Sequence, residues 1–248
     1  MEPLLHIKNL EGGYTHKNVL HGISFDVKPN EIVGLIGLNG AGKSTTIKHV
    51  IGLMQAKNGE VSIKGKSFQE APESYRNHFS YIPEMPVLYD ELTLEEHLRL
   101  TAMAYQIPED VYQRRVTPLL KEFRLDKKLK LFPIHFSKGM RQKVMIMCAF
   151  LVEPDLYIVD EPFVGLDPLG IQSYLQLMDQ MKEKGAGVLM STHILATAER
   201  YCDRFVILHD GQIRAKGTLE ELRKSFDRPQ ATLDDLYIQL TKEADSYA

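Results

Sequence analysis

Between a short apolar run, Glu31-Ile32-Val33-Gly34-Leu35-Ile36, and a segment with helical spacing, Ser44 to Met54, the chain carries Gly37-Leu38-Asn39-Gly40-Ala41-Gly42-Lys43-Ser44. This succession of strand, glycine-rich loop and helix restricts the fold more than any other feature. The apolar run is β-branched, as a strand buried on both faces should be, and the helix opens on hydroxyls. Glycines at 37, 40 and 42 allow close approaches that a side chain would forbid, so successive N–H groups can turn inward towards an anion. Those donors stand at a helix N-terminus, where partial positive charge favours phosphate. The spacing GxxxxGKS therefore predicts a nucleoside triphosphate site running from Gly37 through Leu38, Asn39, Gly40, Ala41, Gly42, Lys43 and Ser44 to Thr45. Lys43 would reach the β- and γ-phosphates and the Ser44 hydroxyl would ligate magnesium. The alternative is a chance glycine-rich turn, against which the flanking strand and helix weigh.

Further strands are expected at Leu4 to Leu10 and Val19 to Val27, joined through a Gly12-Gly13 turn, then at Gly59 to Ile63 and Phe79 to Ile82. The period then changes. Thr93-Leu94-Glu95-Glu96 has the form of a capping box and starts a helix running towards Gln106. Pro108 suits the first turn of the next helix, which Pro118 is expected to kink or divide. A third helix is expected from Ser137 through Val152, ended by Glu153-Pro154. Strand and helix alternate afterwards: Leu156 to Val159, Leu169 to Met181, Val188 to Ser191, Ala196 to Tyr201 and Phe205 to Leu208. Asp210-Gly211 then turns the last strand back into Gln212 to Ala215. Two capped helices, from Thr218 and from Thr232 to Leu240, close the chain. The pattern predicts an α/β fold with a parallel sheet covered by helices. Its nucleotide-binding core would comprise residues 1–91 and 153–217, with a helical insertion at 92–152 and C-terminal helices at 218–248.

A chain of 248 residues has room for one sizeable core and a subdomain. Its formal net charge of −3 does not suggest a polyanion-binding surface, so nucleic acid is not an expected partner. The longest apolar run, Val144 to Val152, is too short to span a bilayer, and Met1-Glu2-Pro3 does not open a signal peptide. Cys148 and Cys202 are far apart and without metal-ligand spacing, which predicts reduced core residues in a cytoplasmic protein.

A second constellation, Leu156-Tyr157-Ile158-Val159-Asp160-Glu161, is an apolar strand ending in two carboxylates. Taken alone it reads as well as a strand followed by an acidic turn. In a parallel sheet, however, the phosphate loop and the C-terminal strand ends share one edge. Asp160 can then enter the magnesium shell, and Glu161, one residue further out, can act as general base towards the water that attacks the γ-phosphorus.

Phe136-Ser137-Lys138-Gly139-Met140-Arg141-Gln142-Lys143 lies upstream of the acidic strand and resembles the signature segment of the ATP-binding cassette family. Tyr14, Tyr81-Ile82-Pro83-Glu84, Gly165-Leu166-Asp167 and Ser191-Thr192-His193 match that family's other landmarks in order, so the resemblance covers nearly the whole chain. It implies a RecA-like P-loop NTPase core with an N-terminal antiparallel β subdomain and an inserted helical subdomain. It further implies that Tyr14 stacks on adenine, although a strand-end aromatic over the core is also a fair reading of that residue. His193 would contact the γ-phosphate and hold Glu161 and the water in register, where a lone histidine would otherwise read as structural. Ser137, Lys138 and Gly139 would face the ATP of a second subunit, with Asp167 at the dimer interface. The implied assembly is a head-to-tail dimer of two copies, closed by ATP and magnesium, on the cytoplasmic face of a separate membrane permease.

The chain departs from the family pattern at three positions. Glu84 stands where most cassettes have Gln, and as a carboxylate it binds magnesium more strongly than an amide. Lys138 replaces Gly, either adding positive charge near the opposing phosphates or remaining solvated, and Met140 replaces Gln. Glu84 suggests an export-type subunit. Two other readings compete: a soluble cassette ATPase not coupled to transport, and a P-loop kinase or GTPase. Cassettes of the first kind are tandem or split by long coiled coils, and the second kind lacks Ser137-Lys138-Gly139.

Overall fold

The computed structural model describes residues 2–14 and 17–245, with side chains as far as Thr241; Met1 and the end of the C-terminal segment, 246–248, lie outside the described residues. In chain order the elements are β1 (Leu5–Gly12), β2 (Leu20–Val27), β3 (Ile32–Ile36), α1 (Lys43–Val50), β4 (Asn58–Ile63), β5 (Lys66–Ser67), α2 (Pro72–Asn77) and β6 (Phe79–Ile82). Three helices follow, α3 (Leu94–Ala104), α4 (Glu109–Glu122) and α5 (Lys138–Val152). The chain continues through β7 (Leu156–Asp160), α6 (Pro168–Glu183), β8 (Gly187–Thr192), α7 (Leu195–Tyr201), β9 (Arg204–His209), β10 (Gln212–Gly217), α8 (Leu219–Ser225) and α9 (Leu233–Asp245).

Among the described residues, two sheets form. The antiparallel sheet has the order β2-β1-β4-β5, and the main sheet has the order β10-β9-β3-β8-β7-β6. In the main sheet β9, β3, β8, β7 and β6 run parallel, and β10 returns antiparallel beside β9. The α/β expectation therefore holds, with an antiparallel sheet beside the mainly parallel one and the helices α3, α4 and α5 between β6 and β7.

Alternation along the main strands shows what covers each face. Leu156, Ile158 and Leu189 point to the side shared with the antiparallel sheet and α1, where Ile47 and Val50 join them. Tyr157, Val159, Val188 and Met190 point to the opposite side, among residues of α3, α4, α5 and α6. Strands covered on both faces need continuous apolar sequence, and β3, β7 and β8 are buried throughout their length. Among the described residues no helix is long and apolar enough to cross a membrane.

Several local expectations change. The first helix after the glycine-rich loop ends at Val50 rather than Met54. Gly52 adopts φ 77°, and bonds from Gly52 N to His49 O and from Leu53 N to Lys48 O close it with a Schellman turn. The link between β1 and β2 spans 13–19, longer than a two-residue turn, with Val19 N donating to Gly12 O at its base. Pro118 does not divide α4. It lies on the exposed side, where water can reach the carbonyl it leaves unpaired, while Tyr112, Val116, Leu119 and Leu120 are buried. The Thr93–Glu96 capping box forms with both bonds present.

Candidate functional site

The site lies along the C-terminal edge of three neighbouring strands. Parallel register sets Ile36 of β3 beside Thr192 of β8, and Asp160 of β7 beside Ser191 of β8. The glycine-rich loop leaves β3 at this edge and enters α1 at Lys43, with Gly40 and Gly42 at φ 87° and 107°. Leu38, Asn39, Gly40 and Ser44 are exposed, whereas Ala41, Lys43 and Thr45 are buried. Thr46, in the first turn, donates through Oγ1 to Gly42 O at 2.9 Å.

Lys43 is folded back onto its own loop. Its Nζ donates to Gly37 O at 2.7 Å and Leu38 O at 3.3 Å, and stands 4.0 Å from Glu161 Oε1. Burial of this ammonium lowers its pKa from the ordinary lysine value, an effect opposed by the charges of Glu161, Asp160 and Glu84. The sequence-predicted cation and carboxylates are thus close enough to interact electrostatically.

Both carboxylates are 6% exposed and held by the neighbouring strand. Asp160 Oδ1 accepts a short hydrogen bond from Ser191 Oγ. Glu161 Oε2 accepts from Thr192 Oγ1 at 3.1 Å, and Oε1 lies 2.7 Å from His193 Nδ1. An ionised carboxylate can only accept, so in that state Nδ1 carries the proton of this bond. Glu161 has φ 48°, a sparsely populated conformation for a residue with a Cβ, and its N–H donates to Ser191 O. Ser191 and Thr192 therefore orient the acidic pair. Sequence reading placed them in a landmark but assigned them no task; their signal is the hydroxyl pair at the end of a neighbouring parallel strand.

Magnesium keeps several waters and takes one or two carboxylates plus substrate phosphates. Among the described residues no cluster of three or more His, Cys, Asp or Glu side chains forms a metal cage. The donor set of Asp160 and the exposed Ser44 hydroxyl, beside a phosphate loop, fits that ion's chemistry. Glu84 is exposed on the loop after β6, and its charge is felt at Lys43 and Tyr81.

Tyr14 is brought beside α1. Its hydroxyl accepts from Lys48 Nζ at 2.9 Å, a bond that leads the lowering of its pKa, and the same ammonium lies 5.1 Å from its ring centroid. The ring is half exposed, so it is not a lid on the core.

The predicted signature residues form a separate cluster at the start of α5. Ser137 caps that helix by accepting from Met140 N, and Lys138 is exposed. A Cβ on Gly139 would lie 2.6 Å from Gly165 O. Asp167 caps α6 by accepting from Gly170 N at 2.6 Å and pairs with Lys143 of α5 at 3.0 Å. The signature helix also reaches the Glu84 loop, through Gln142 Nε2 to Pro83 O at 3.4 Å and Arg141 to Asp90 at 3.2 Å. A cleft of about 940 Å³ lies elsewhere, lined by residues of the segment from α1 to α2 such as His49, Phe68 and Tyr75. Its size does not make it the site, since the convergent charges are at the strand ends.

A sequence profile of the ABC transporter family matches residues 20–164, more than half of the chain and including both the phosphate loop and the acidic strand. This chain belongs to the ABC transporter ATP-binding family. It is 65% identical over 240 residues to the ABC-type transporter ATP-binding protein EcsA of Bacillus subtilis, covering 97% of each chain. It is 42% identical to the ABC transporter ATP-binding protein YthP of the same organism, over 96% of this chain and 97% of that one. A solved structure of an ATP-binding subunit of an ABC transporter superposes with a TM-score of 0.94 at 63% identity, covering 96% of this chain and 99% of that one. Membership in this family makes the chain an ATP-binding ATPase of transporter type, as its sequence landmarks suggested.

Proposed function

We propose that this ABC protein hydrolyses ATP as one half of a head-to-tail dimer and drives a separate, export-type membrane permease. The observation that carries this reading is the convergence of Lys43, Asp160, Glu161 and His193 on one sheet edge, with Glu161 held by a ring nitrogen and a hydroxyl.

On binding ATP, Lys43 exchanges the carbonyls of Gly37 and Leu38 for β- and γ-phosphate oxygens, whose charge offsets its burial. The N–H groups of the loop from Leu38 to Thr45 surround the phosphates, and Tyr14 leaves Lys48 to stack on adenine. Ser44, Asp160 and Glu84 would hold magnesium, which would supply charge neutralisation at the phosphates when bound. Glu161 accepts the proton of the attacking water. Thr192 and His193 fix its carboxylate plane, so little reorganisation is needed in the transition state. His193, half exposed, also meets the γ-phosphate.

The remaining side of that phosphate is covered by Ser137, Lys138 and Gly139 of a second copy, because these residues stand at an exposed helix start within a cluster separate from their own chain's phosphate loop. Asp167, bonded to Lys143 of α5, ties the dimer face to the signature helix. The permease docks on the loop from Glu84 to Tyr89, where Met85, Val87 and Tyr89 are exposed. Gln142 and Arg141 connect that loop to α5, so closure of the dimer moves the docking surface. Glu84 in place of the usual amide favours the exporter class.

Glu161→Gln keeps the shape but removes the base. With ATP and magnesium this variant is expected to bind nucleotide, hydrolyse at least a hundredfold more slowly and elute from gel filtration as a dimer. A persistent monomer would count against the shared-site arrangement. Purification from solubilised membranes tests the permease. Failure to retain any integral membrane protein would leave the soluble ATPase reading in its place.

A further inference from the structure

The phosphate loop is held from outside by the far end of the chain. The N–H of Leu38 donates to the hydroxyl of Tyr237 on α9 at 3.0 Å, across 199 residues of sequence. At the other edge of the same peptide unit, Gly37 O accepts from Lys43 Nζ at 2.7 Å. A peptide unit is planar and rigid, so these two bonds grip one plate from opposite edges. We propose that Tyr237 is a positioning residue of the nucleotide site, whose hydroxyl keeps the Gly37–Leu38 peptide in place when Lys43 moves from Gly37 to the phosphates. This inference rests on the ATP-site reading above.

Tyr237 is itself well anchored. Its side chain is 5% exposed and packs in a cluster with Ile36 at the end of β3, Phe205 and Ile207 of β9, and Leu233 and Leu236 of α9. The start of α9 is fastened twice. Thr232 Oγ1 and Asp235 form a reciprocal cap, and Leu233 N donates to Glu199 Oε2 at 2.6 Å on α7, the helix that follows His193. The helix therefore delivers the hydroxyl from a rigid support.

The two nucleotide states should feel its loss differently. Without nucleotide, Lys43 still holds Gly37 O, so one edge of the peptide stays fixed when the hydroxyl is removed. With nucleotide, Lys43 serves the phosphates and Gly37 O loses that bond. The peptide is then free to rotate unless Leu38 N–H is held, and rotation would misalign the donors that follow it. A hydrogen bond of ordinary net strength corresponds to about a fivefold change in affinity.

The test uses the full chain with Tyr237→Phe, which deletes the hydroxyl, and Tyr237→Leu, which also deletes ring packing. Isothermal titration with the non-hydrolysable analogue AMP-PNP and magnesium gives Kd, and thermal unfolding of the nucleotide-free protein gives Tm. We expect Tyr237→Phe to raise Kd about fivefold with Tm within about 2 °C of wild type, and Tyr237→Leu to lower Tm as well. An unchanged Kd for Tyr237→Phe would overturn the proposal. So would a weakened Kd accompanied by the Tm loss of the Leu variant, which would assign the effect to packing. Failure of wild-type protein to bind the analogue would overturn the ATP-site reading and this proposal together.

Discussion

Lys43 is a residue whose burial is costly to the fold and which the proposed function makes necessary to the site. Its folded pKa is lowered by burial, so the folded state binds this proton less tightly than the unfolded chain. The charged amine therefore opposes folding below its folded pKa, and the penalty is relieved as pH rises through that value towards the ordinary lysine range. Removing the amine should consequently not lower the stability of the nucleotide-free protein, while deleting the charge that meets the phosphates. For Lys43→Ala we expect nucleotide affinity to fall at least tenfold with no loss of Tm, measured by titration and thermal unfolding on the same sample. A large loss of Tm would mean that the bonds to Gly37 and Leu38 outweigh the desolvation. Cys148 and Cys202 illustrate the opposite case of residues with no such conflict. Both are free thiols, partly buried where they pack against the core instead of lying within it, and burial pushes them up to about 11 and about 12.

Among the elements, the β9–β10 hairpin contributes more than an edge to the sheet. Asp210 and Gly211 have φ 47° and 70°, the left-handed pair that a tight hairpin needs. Its tip also touches the phosphate loop and β2, through Gly211 N to Ala41 O at 3.0 Å and His21 N to Gly211 O at 2.8 Å. A Cβ at Gly211 would lie 1.7 Å from Val19 O, so backbone must move. Gly211→Ala should cost roughly 2–4 kcal/mol in urea unfolding. Gly65→Ala, at φ 73° with open space around the new methyl, should cost only about 1 kcal/mol. Equal costs would show that the left-handed conformation, and not docking of the tip, dominates. The sequence reading identified this turn from Asp-Gly alone but not what its tip supports, because bonds to Ala41 and His21 depend on distant elements. It also passed over β5, two residues long, and α2, six residues opening on Pro72, both too short for periodicity to register.

At the level of the whole molecule, the phosphate loop opens α1 at the end of β3, whereas the signature cluster opens α5 on the helical middle of the chain. If each serves a different ATP, damage to the second should spare binding and abolish turnover. For Ser137→Arg we expect AMP-PNP affinity within about twofold of wild type and ATPase activity reduced at least a hundredfold, since bulk at the exposed helix start would hold two copies apart. Unchanged turnover would refute the shared site. The linear order of residues was sufficient to determine the phosphate loop, the acidic strand, the α/β alternation and the family. Each of these is a local pattern, in which spacing along the backbone sets spacing in space. Tertiary structure decided how the pieces are held. Ser191 and Thr192 grip the carboxylates because β8 lies beside β7, Lys43 folds onto its own loop because Glu161 and the strand ends enclose it, and Tyr237 reaches Leu38 because α9 packs beneath β3 and β9. Contacts between residues far apart in the chain leave no period or motif in a single sequence, so only the folded molecule places them.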